Sequence, residues 1–95
     1  MDPQKSDEFY QRLAEQLSES TTWPSNYLYK FIVPTDADKI NSIHGIFDAH
    51  GAVIQTRKSK NGKYTSVSIT VNLKSPAEVI AKYREVGEIE GVISL

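Results

Sequence analysis

The ten residues Tyr64 to Leu73, which read YTSVSITVNL, alternate strictly between two kinds of side chain. Thr65 and the aliphatic residues up to Leu73 fall on one side, while hydroxyl and amide side chains fall on the other. Successive side chains of a β-strand point to opposite faces of its sheet. The stretch therefore predicts a strand that is buried on one face, while its other face is wet or covered by something that tolerates polar groups.

A turn and a second strand precede this stretch. Asn61-Gly62 is typical of a two-residue hairpin turn of type I′, because both central residues of that turn need positive φ. We expect residues 52–60 to form the strand that pairs with 64–73.

Upstream of this hairpin, the chain predicts one strand and one helix. Residues 27–33 are rich in aromatic and β-branched side chains and end at Pro34, which indicates a strand. Residues 36–50 predict a helix with the apolar stripe Ile40, Ile43 and Phe47, closed by Gly51 in a left-handed conformation.

Downstream of the hairpin, Ser75-Pro76-Ala77-Glu78 is a capping box with proline at the first helical position. The helix that it starts is expected to run to about residue 86, and residues 90–95 predict a short last strand. The order from residue 23 onward is thus β-α-β-β-α-β, which is typical of ferredoxin-like α+β domains. Two right-handed crossovers predict an antiparallel sheet of order 4-1-3-2, with both helices on one face and the other face open.

An additional helix precedes this domain. Residues 6–20 place Phe9, Leu13 and Leu17 on one apolar stripe, and Ser6 is a candidate N-cap. We therefore divide the chain into an N-terminal extension, 1–22, and a ferredoxin-like domain, 23–95. An isolated helix this short is marginal in water. We expect its stripe to dock either on the chain's own sheet, beside Leu28 and Ile32, or on a second protomer.

Composition excludes several classes of function. Ninety-five residues support one domain, and the chain contains no cysteine, which removes disulfides, thiolate metal sites and thiol catalysis. The net charge of −1 gives no overall attraction to nucleic acid or to an anionic membrane. The first residues lack the apolar stretch of a signal peptide, and no apolar run approaches the ~20 residues of a membrane span. These features predict a cytoplasmic protein that does not bind membranes.

The strand and its hairpin also resemble a known family. Residues 62–71, GKYTSVSITV, look like the signature of the YbeD-like family of small bacterial proteins of unknown function. Trp23-Pro24 ahead of Tyr29-Lys30, the basic residues 58–60 and the segment 83–89 around Gly87 fit the same family. The resemblance implies a ferredoxin-like fold that is similar to ACT-type regulatory domains, which bind small molecules and usually pair. It implies no catalytic residues. The turn after the first strand reads Val33-Pro34-Thr35-Asp36-Ala37, without the glycine usual at the ACT ligand pocket.

Two surfaces are candidates for binding. If Tyr29, Phe31 and Val33 face the helices, Lys30 lies on the open face together with Ser66, Ser68 and Thr70. Three hydroxyls and one ammonium group could hold a polar or anionic ligand; the alternative is that this face is merely solvated. The second surface is the basic hairpin, defined by Arg57, Lys58, Lys60 and Lys63. It suits a phosphate or an acidic partner, or else simply protects an edge strand from pairing with other chains.

Other chemistries find little support in the sequence. RNA-recognition domains of this topology stack bases on aromatic residues of the third strand, where this chain has Ser66 and Ser68, so nucleic acid is disfavoured. His44 and His50 are six residues apart on one helix, and only His44 and Asp48 share a side, which makes a poor metal site. We expect no metal, no cofactor and no enzymatic activity. The predicted function is a regulatory or binding module with a small-molecule ligand, a protein partner or a second copy. The alternative is an accessory domain that binds nucleic acid or phosphate through the basic hairpin.

Overall fold

The computed structural model describes residues 3–48 and 51–95. Along the described chain lie α1 (Pro3–Ser20), β1 (Ser25–Pro34), α2 (Ala37–Phe47), β2 (Val53–Lys58), β3 (Tyr64–Leu73), α3 (Pro76–Gly87) and β4 (Ile93–Ser94). The predicted order of elements is confirmed. The last strand is shorter than predicted, with two residues instead of six.

The four strands form one sheet of order β2-β3-β1-β4, in which every neighbouring pair is antiparallel. This is the predicted order 4-1-3-2 read from the other edge, and the ferredoxin-like α+β class is confirmed. In the central pair, Tyr29 lies opposite Ile69 and Phe31 lies opposite Val67. This pairing joins the two longest strands along their whole length. Its register therefore determines which residues of the neighbouring strands face the core.

The core lies between this sheet and helices α2 and α3. The predicted inward residues of β1 are Tyr29, Phe31 and Val33, and all three are fully buried. The Tyr29 ring centroid is 5.0 Å from that of Phe47 on α2, and its hydroxyl donates a 2.9 Å hydrogen bond to the Val79 carbonyl of α3. A buried phenol is tolerated here because its polar atom has a partner.

Both core helices start at side-chain caps. Asp36 caps α2, accepting from the backbone N–H groups of Asp38 and Lys39 at 2.9 and 3.2 Å. Ser75 caps α3 as predicted, since its hydroxyl accepts from the Glu78 N–H at 3.3 Å. The Glu78 carboxylate accepts from Lys74 N–H instead of Ser75 N–H, so the reciprocal half of the capping box is shifted by one residue.

The β2–β3 turn differs from the prediction. The Gly62 N–H donates to the Ser59 carbonyl at 2.9 Å, which makes Lys60 and Asn61 the central residues of the turn. Gly62 has φ +74°, whereas Asn61 does not have positive φ, so the two-residue type I′ turn is wrong. The physical reason is side-chain bonding: the Asn61 amide oxygen accepts from Ser59 Oγ and from Lys63 N–H, both at 3.0 Å.

The first helix docks inside the chain, but not where the sequence suggested. It begins at Pro3, so Ser6 lies within the helix and is not its N-cap. It packs against α3, on the side of the helical layer, so that of the two alternatives left open by the sequence the position on the sheet beside Leu28 and Ile32 is wrong. Its contacts include the Tyr10 ring, stacked on Tyr83 at 6.1 Å, and a 2.7 Å ion pair between Asp7 and Arg84.

The predicted stripe of α1 is only partly used in this packing. Leu13 and Leu17 are half-buried, and the Leu17 carbonyl accepts a 3.2 Å hydrogen bond from the Trp23 indole N–H. Phe9 remains 59% exposed. The stripe is therefore not available as a whole for self-association.

Two smaller predictions concern the end of α2 and the membrane. Gly51 has φ +63°, as expected for a left-handed stop, while the described helix ends at Phe47. His50 lies outside the described residues. Among the residues that are described, none of the helices is both long enough and apolar enough to cross a bilayer.

Candidate functional site

The open sheet face carries the predicted polar residues in a regular array. Lys30 on β1 lies directly opposite Ser68 on β3, and Ser66 and Thr70 flank Ser68 on the same side of the strand. Strand β2 adds two polar side chains to the same face, because Gln55 pairs with Ser68 and Arg57 pairs with Ser66. Neighbouring strands are about 4.8 Å apart. One ligand lying across the face could therefore contact all three strands.

The same face carries most of the exposed apolar side chains. The described residues include six large hydrophobic side chains that are exposed, and one of these, Phe9, lies on α1. The other five lie on the open face, because each pairs with an open-face residue or alternates with one along its own strand. These five are Leu28, Val53, Tyr64, Ile93 and Leu95. Scattered single hydrophobic residues are normal on a surface, whereas a grouping of this kind marks binding surfaces.

Charge is separated between the two layers of the molecule. Strands β1, β2 and β3 and the loop between β2 and β3 contain no aspartate or glutamate. They contain five basic residues: Lys30, Arg57, Lys58, Lys60 and Lys63. Because the whole chain carries −1, the rest of the chain carries −6. The sheet layer is thus a positively charged layer on a slightly acidic protein.

A shallow depression of about 490 Å³ lies where the open face meets the basic hairpin. Its floor contains Ile32 and Ser66 of the central strands, and its rim is formed by β2 and the turn that follows it. The residues that line it are Ile32, Arg57, Lys58, Ser59, Lys60, Tyr64 and Ser66. The polar face and the basic hairpin, which were separate in the sequence, are therefore one continuous surface.

Hydrogen bonds within the hairpin hold this rim in place. Ser59 Oγ accepts from the Tyr64 N–H at 3.1 Å and donates to Asn61 Oδ1, while the Ser59 N–H donates to the Tyr64 carbonyl at 2.7 Å. The Ser66 hydroxyl donates to the Arg57 carbonyl at 3.3 Å. The backbone that carries Arg57, Lys60 and Tyr64 is consequently ordered before any ligand arrives.

Not all of the predicted binding residues line this depression. Thr70 lies toward the far end of β3, opposite Leu28, and Lys63 does not line the depression, although its carbonyl accepts a 3.0 Å hydrogen bond from the Thr35 N–H. Lys30 lies near the middle of the face. The depression brings together Ser66 and three of the four hairpin cations.

Sequence reasoning placed Tyr64 on this face but did not name it, or Gln55, as a candidate binding residue. Tyr64 is in phase with Ser66 and Ser68 along β3, so the alternation already contained the signal. Gln55 could not be assigned in the same way, because β2 has no clear alternation of its own and its face follows from pairing with Ser68.

The candidate metal pair of α2 lies away from the open face. His44 and Asp48 are both exposed on the helical side, and no group of three histidine, aspartate or glutamate side chains is placed to hold a metal ion among the described residues. The open face offers hydrogen-bond donors and cations, which suit binding.

Comparison with known proteins places the chain in a family. A family model described as "Protein of unknown function (DUF493)" matches residues 18–95. The chain belongs to this family. The match begins near the end of α1, so most of that helix lies outside the part that DUF493 proteins share.

The resemblance to YbeD-like bacterial proteins is confirmed by the family match and one relative, and a solved structure shares the fold. The UPF0250 protein plu1293 of Photorhabdus laumondii is 28% identical over 78 residues, which cover 79% of this chain and 90% of the relative. The solution structure of protein HP0495 from H. pylori superimposes with a TM-score of 0.63 at 16% identity, over 80% of this chain and 86% of that one. The latter similarity confirms the fold.

Proposed function

We propose that this DUF493 protein is a non-catalytic binding module of regulatory type, comparable to ACT domains, and that its open sheet face is the binding surface. The grouping of exposed apolar side chains with cations and hydroxyls on that one face carries the proposal. A face that was merely solvated would have no reason to concentrate Leu28, Val53 and Ile93, each more than half exposed.

Self-association is part of the proposal, because the face or the edges of the sheet can pair with a second copy. A cytoplasmic location is a further expectation, which the lack of cysteine favours. The nucleic-acid alternative draws on the acid-free sheet layer, but the charge of −6 on the rest of the chain would repel a long polyanion.

The first experiment tests the face as a whole. Leu28→Gln combined with Val53→Gln removes two apolar groups from the face without touching the core, and Phe9→Gln removes one from α1 as the matched control. Light scattering over a concentration series reports self-association, and thermal shift with a metabolite panel reports ligands. Amide shifts in the ¹⁵N-labelled chain then locate any site.

We expect self-association or ligand shifts that map to β1, β2 and β3 and weaken in the double variant while persisting in Phe9→Gln. A chain that stays monomeric at every concentration and responds to no metabolite would sink the proposal. The same holds if every response maps to the helical layer.

A further inference from the structure

The depression at the hairpin end of the open face concentrates positive charge. Arg57, Lys58 and Lys60 lie within four residues of each other and line the same depression. The two ion pairs among the described residues are elsewhere, between Lys82 and Glu85 and between Arg84 and Asp7. Lys58 pairs opposite the buried Thr65, so its side chain starts on the other face of β2. The cations that share the concavity, Arg57 and Lys60, repel one another, and a bound anion would relieve that repulsion.

The kinds of donor present favour a phosphate group. The planar guanidinium of Arg57 can bind two oxygens of one phosphate side by side, and the ammonium of Lys60 supplies a compact charge from the turn. The Tyr64 hydroxyl is a further donor on the same rim. A depression of about 490 Å³ is in the size range of small-molecule sites, about 300–1,000 Å³.

The apolar part of the depression indicates more than inorganic phosphate. Ile32 lies on its floor, and the Tyr64 ring is 44% exposed beside it. An exposed aromatic ring next to an aliphatic side chain gives an organic group a surface to cover. The ordered hairpin holds this surface and the cations in a fixed relation, since the Ser59 and Asn61 side chains both bond to its backbone.

We propose that this depression binds a small organic phosphate. Arg57 and Lys60 hold the phosphate group, and the Tyr64 ring and Ile32 contact the organic part. The assignment rests on the proposed function, in which the open face is the binding surface, and it names the ligand class and the end of the face where that ligand sits.

The test is a titration of the ¹⁵N-labelled full chain with phenyl phosphate and, separately, with inorganic phosphate. Saturable amide shifts are expected at residues 57–66, with tighter binding of phenyl phosphate. Arg57→Gln and Lys60→Gln should each weaken binding by about tenfold, since each removes charged hydrogen bonds to the phosphate. Tyr64→Leu should reduce the preference for phenyl phosphate over inorganic phosphate.

Lys74→Gln is the matched control. It removes the same charge from the residue after the far end of β3, about 30 Å from the hairpin at the rise of an extended strand. It should change affinity by less than about twofold. An equal loss in Lys74→Gln, or the absence of saturable shifts at the hairpin, would overturn the assignment.

Two further outcomes separate this inference from the proposed function. If a single-stranded oligonucleotide binds better with increasing length and weakens steeply with salt, the ligand is nucleic acid and the small-phosphate assignment is wrong. If a ligand without phosphate shifts the centre of the face while the hairpin is silent, the phosphate assignment fails and the binding face stands. Silence of the whole sheet to every ligand, in a strictly monomeric chain, rejects both.

Discussion

At the scale of single residues, the two faces of β3 predict opposite responses to substitution. Ile69 is fully buried opposite Tyr29, so Ile69→Asp places an unpaired carboxylate in the core. We expect a loss of more than about 4 kcal/mol in the free energy of unfolding, a large share of the ~5–15 kcal/mol available to a domain. Urea unfolding followed by circular dichroism measures it.

The neighbouring position supplies the control. Ser68 is half-buried on the open face, and Ser68→Ala should change stability by less than about 0.5 kcal/mol. A stable Ile69→Asp protein, or a strongly destabilised Ser68→Ala protein, would contradict the assignment of faces.

Two phenols, the buried Tyr29 and the half-buried Tyr83, predict an alkaline limit to stability. Burial, followed by the neighbouring Tyr83, raises the pKa of Tyr29 well above its ordinary value of about 10. Burial, followed by the hydrogen bond with Tyr27, raises the pKa of Tyr83 in the same direction. Above pH ~10 the unfolded chain releases these protons while the folded chain retains them, so stability falls as pH rises.

We expect Tm to decline above pH ~10, with a slope in the free energy of unfolding that approaches about 1.4 kcal/mol per pH unit for each of these two phenols. Thermal melts of the unchanged chain and of Tyr83→Phe, compared between about pH 8 and 11, measure this decline. The range includes the ordinary tyrosine pKa of about 10. The variant has one titrating phenol fewer and should show a shallower decline. A flat profile, or an equal slope in the variant, would show that these phenols do not limit stability.

At the scale of elements, α1 shows how neighbouring residues can differ. Tyr10 stacks on Tyr83 and lies under the Arg84 guanidinium at 4.9 Å, while Phe9 is largely exposed. Tyr10→Ala should cost about 1–2 kcal/mol in unfolding free energy, and Phe9→Ala less than about 0.5 kcal/mol. Paired denaturant melts provide the comparison. Equal losses would mean that α1 does not dock through Tyr10.

Contacts between elements also order the helical layer. Lys82 on α3 donates a 2.8 Å hydrogen bond to the Ile46 carbonyl at the end of α2. This satisfies a carbonyl that the last turn of a helix leaves without an internal partner. The ammonium also favours the negative end of the α2 dipole.

At the scale of the whole molecule, the layered fold separates charge that the sequence mixes. The chain has nearly balanced charges, yet its sheet layer carries +5 and the remainder −6. The field around the sheet is therefore positive despite a net charge of −1, which supports the proposal that the open face binds anionic ligands. This separation connects the proposed binding face with the proposed phosphate site.

Local patterns in the sequence were enough for the elements and for the faces of the central strands. The alternation along β3 and the aromatic run of β1 each indicate which side chains are buried, because strand periodicity is a local property. Ser75 and Gly51 likewise act through their immediate neighbours.

Only the tertiary structure decided where α1 docks and which cations meet Tyr64. An amphipathic stripe shows that a helix must pack, but Tyr83 and Arg84, which receive α1, lie more than 70 residues away in the chain. The hairpin turn differed for a local reason instead, because the Ser59 and Asn61 bonds join residues two apart and overrode the usual preference of Asn-Gly for a two-residue turn. Contacts between distant segments depend on pairing register and packing, which no local pattern encodes.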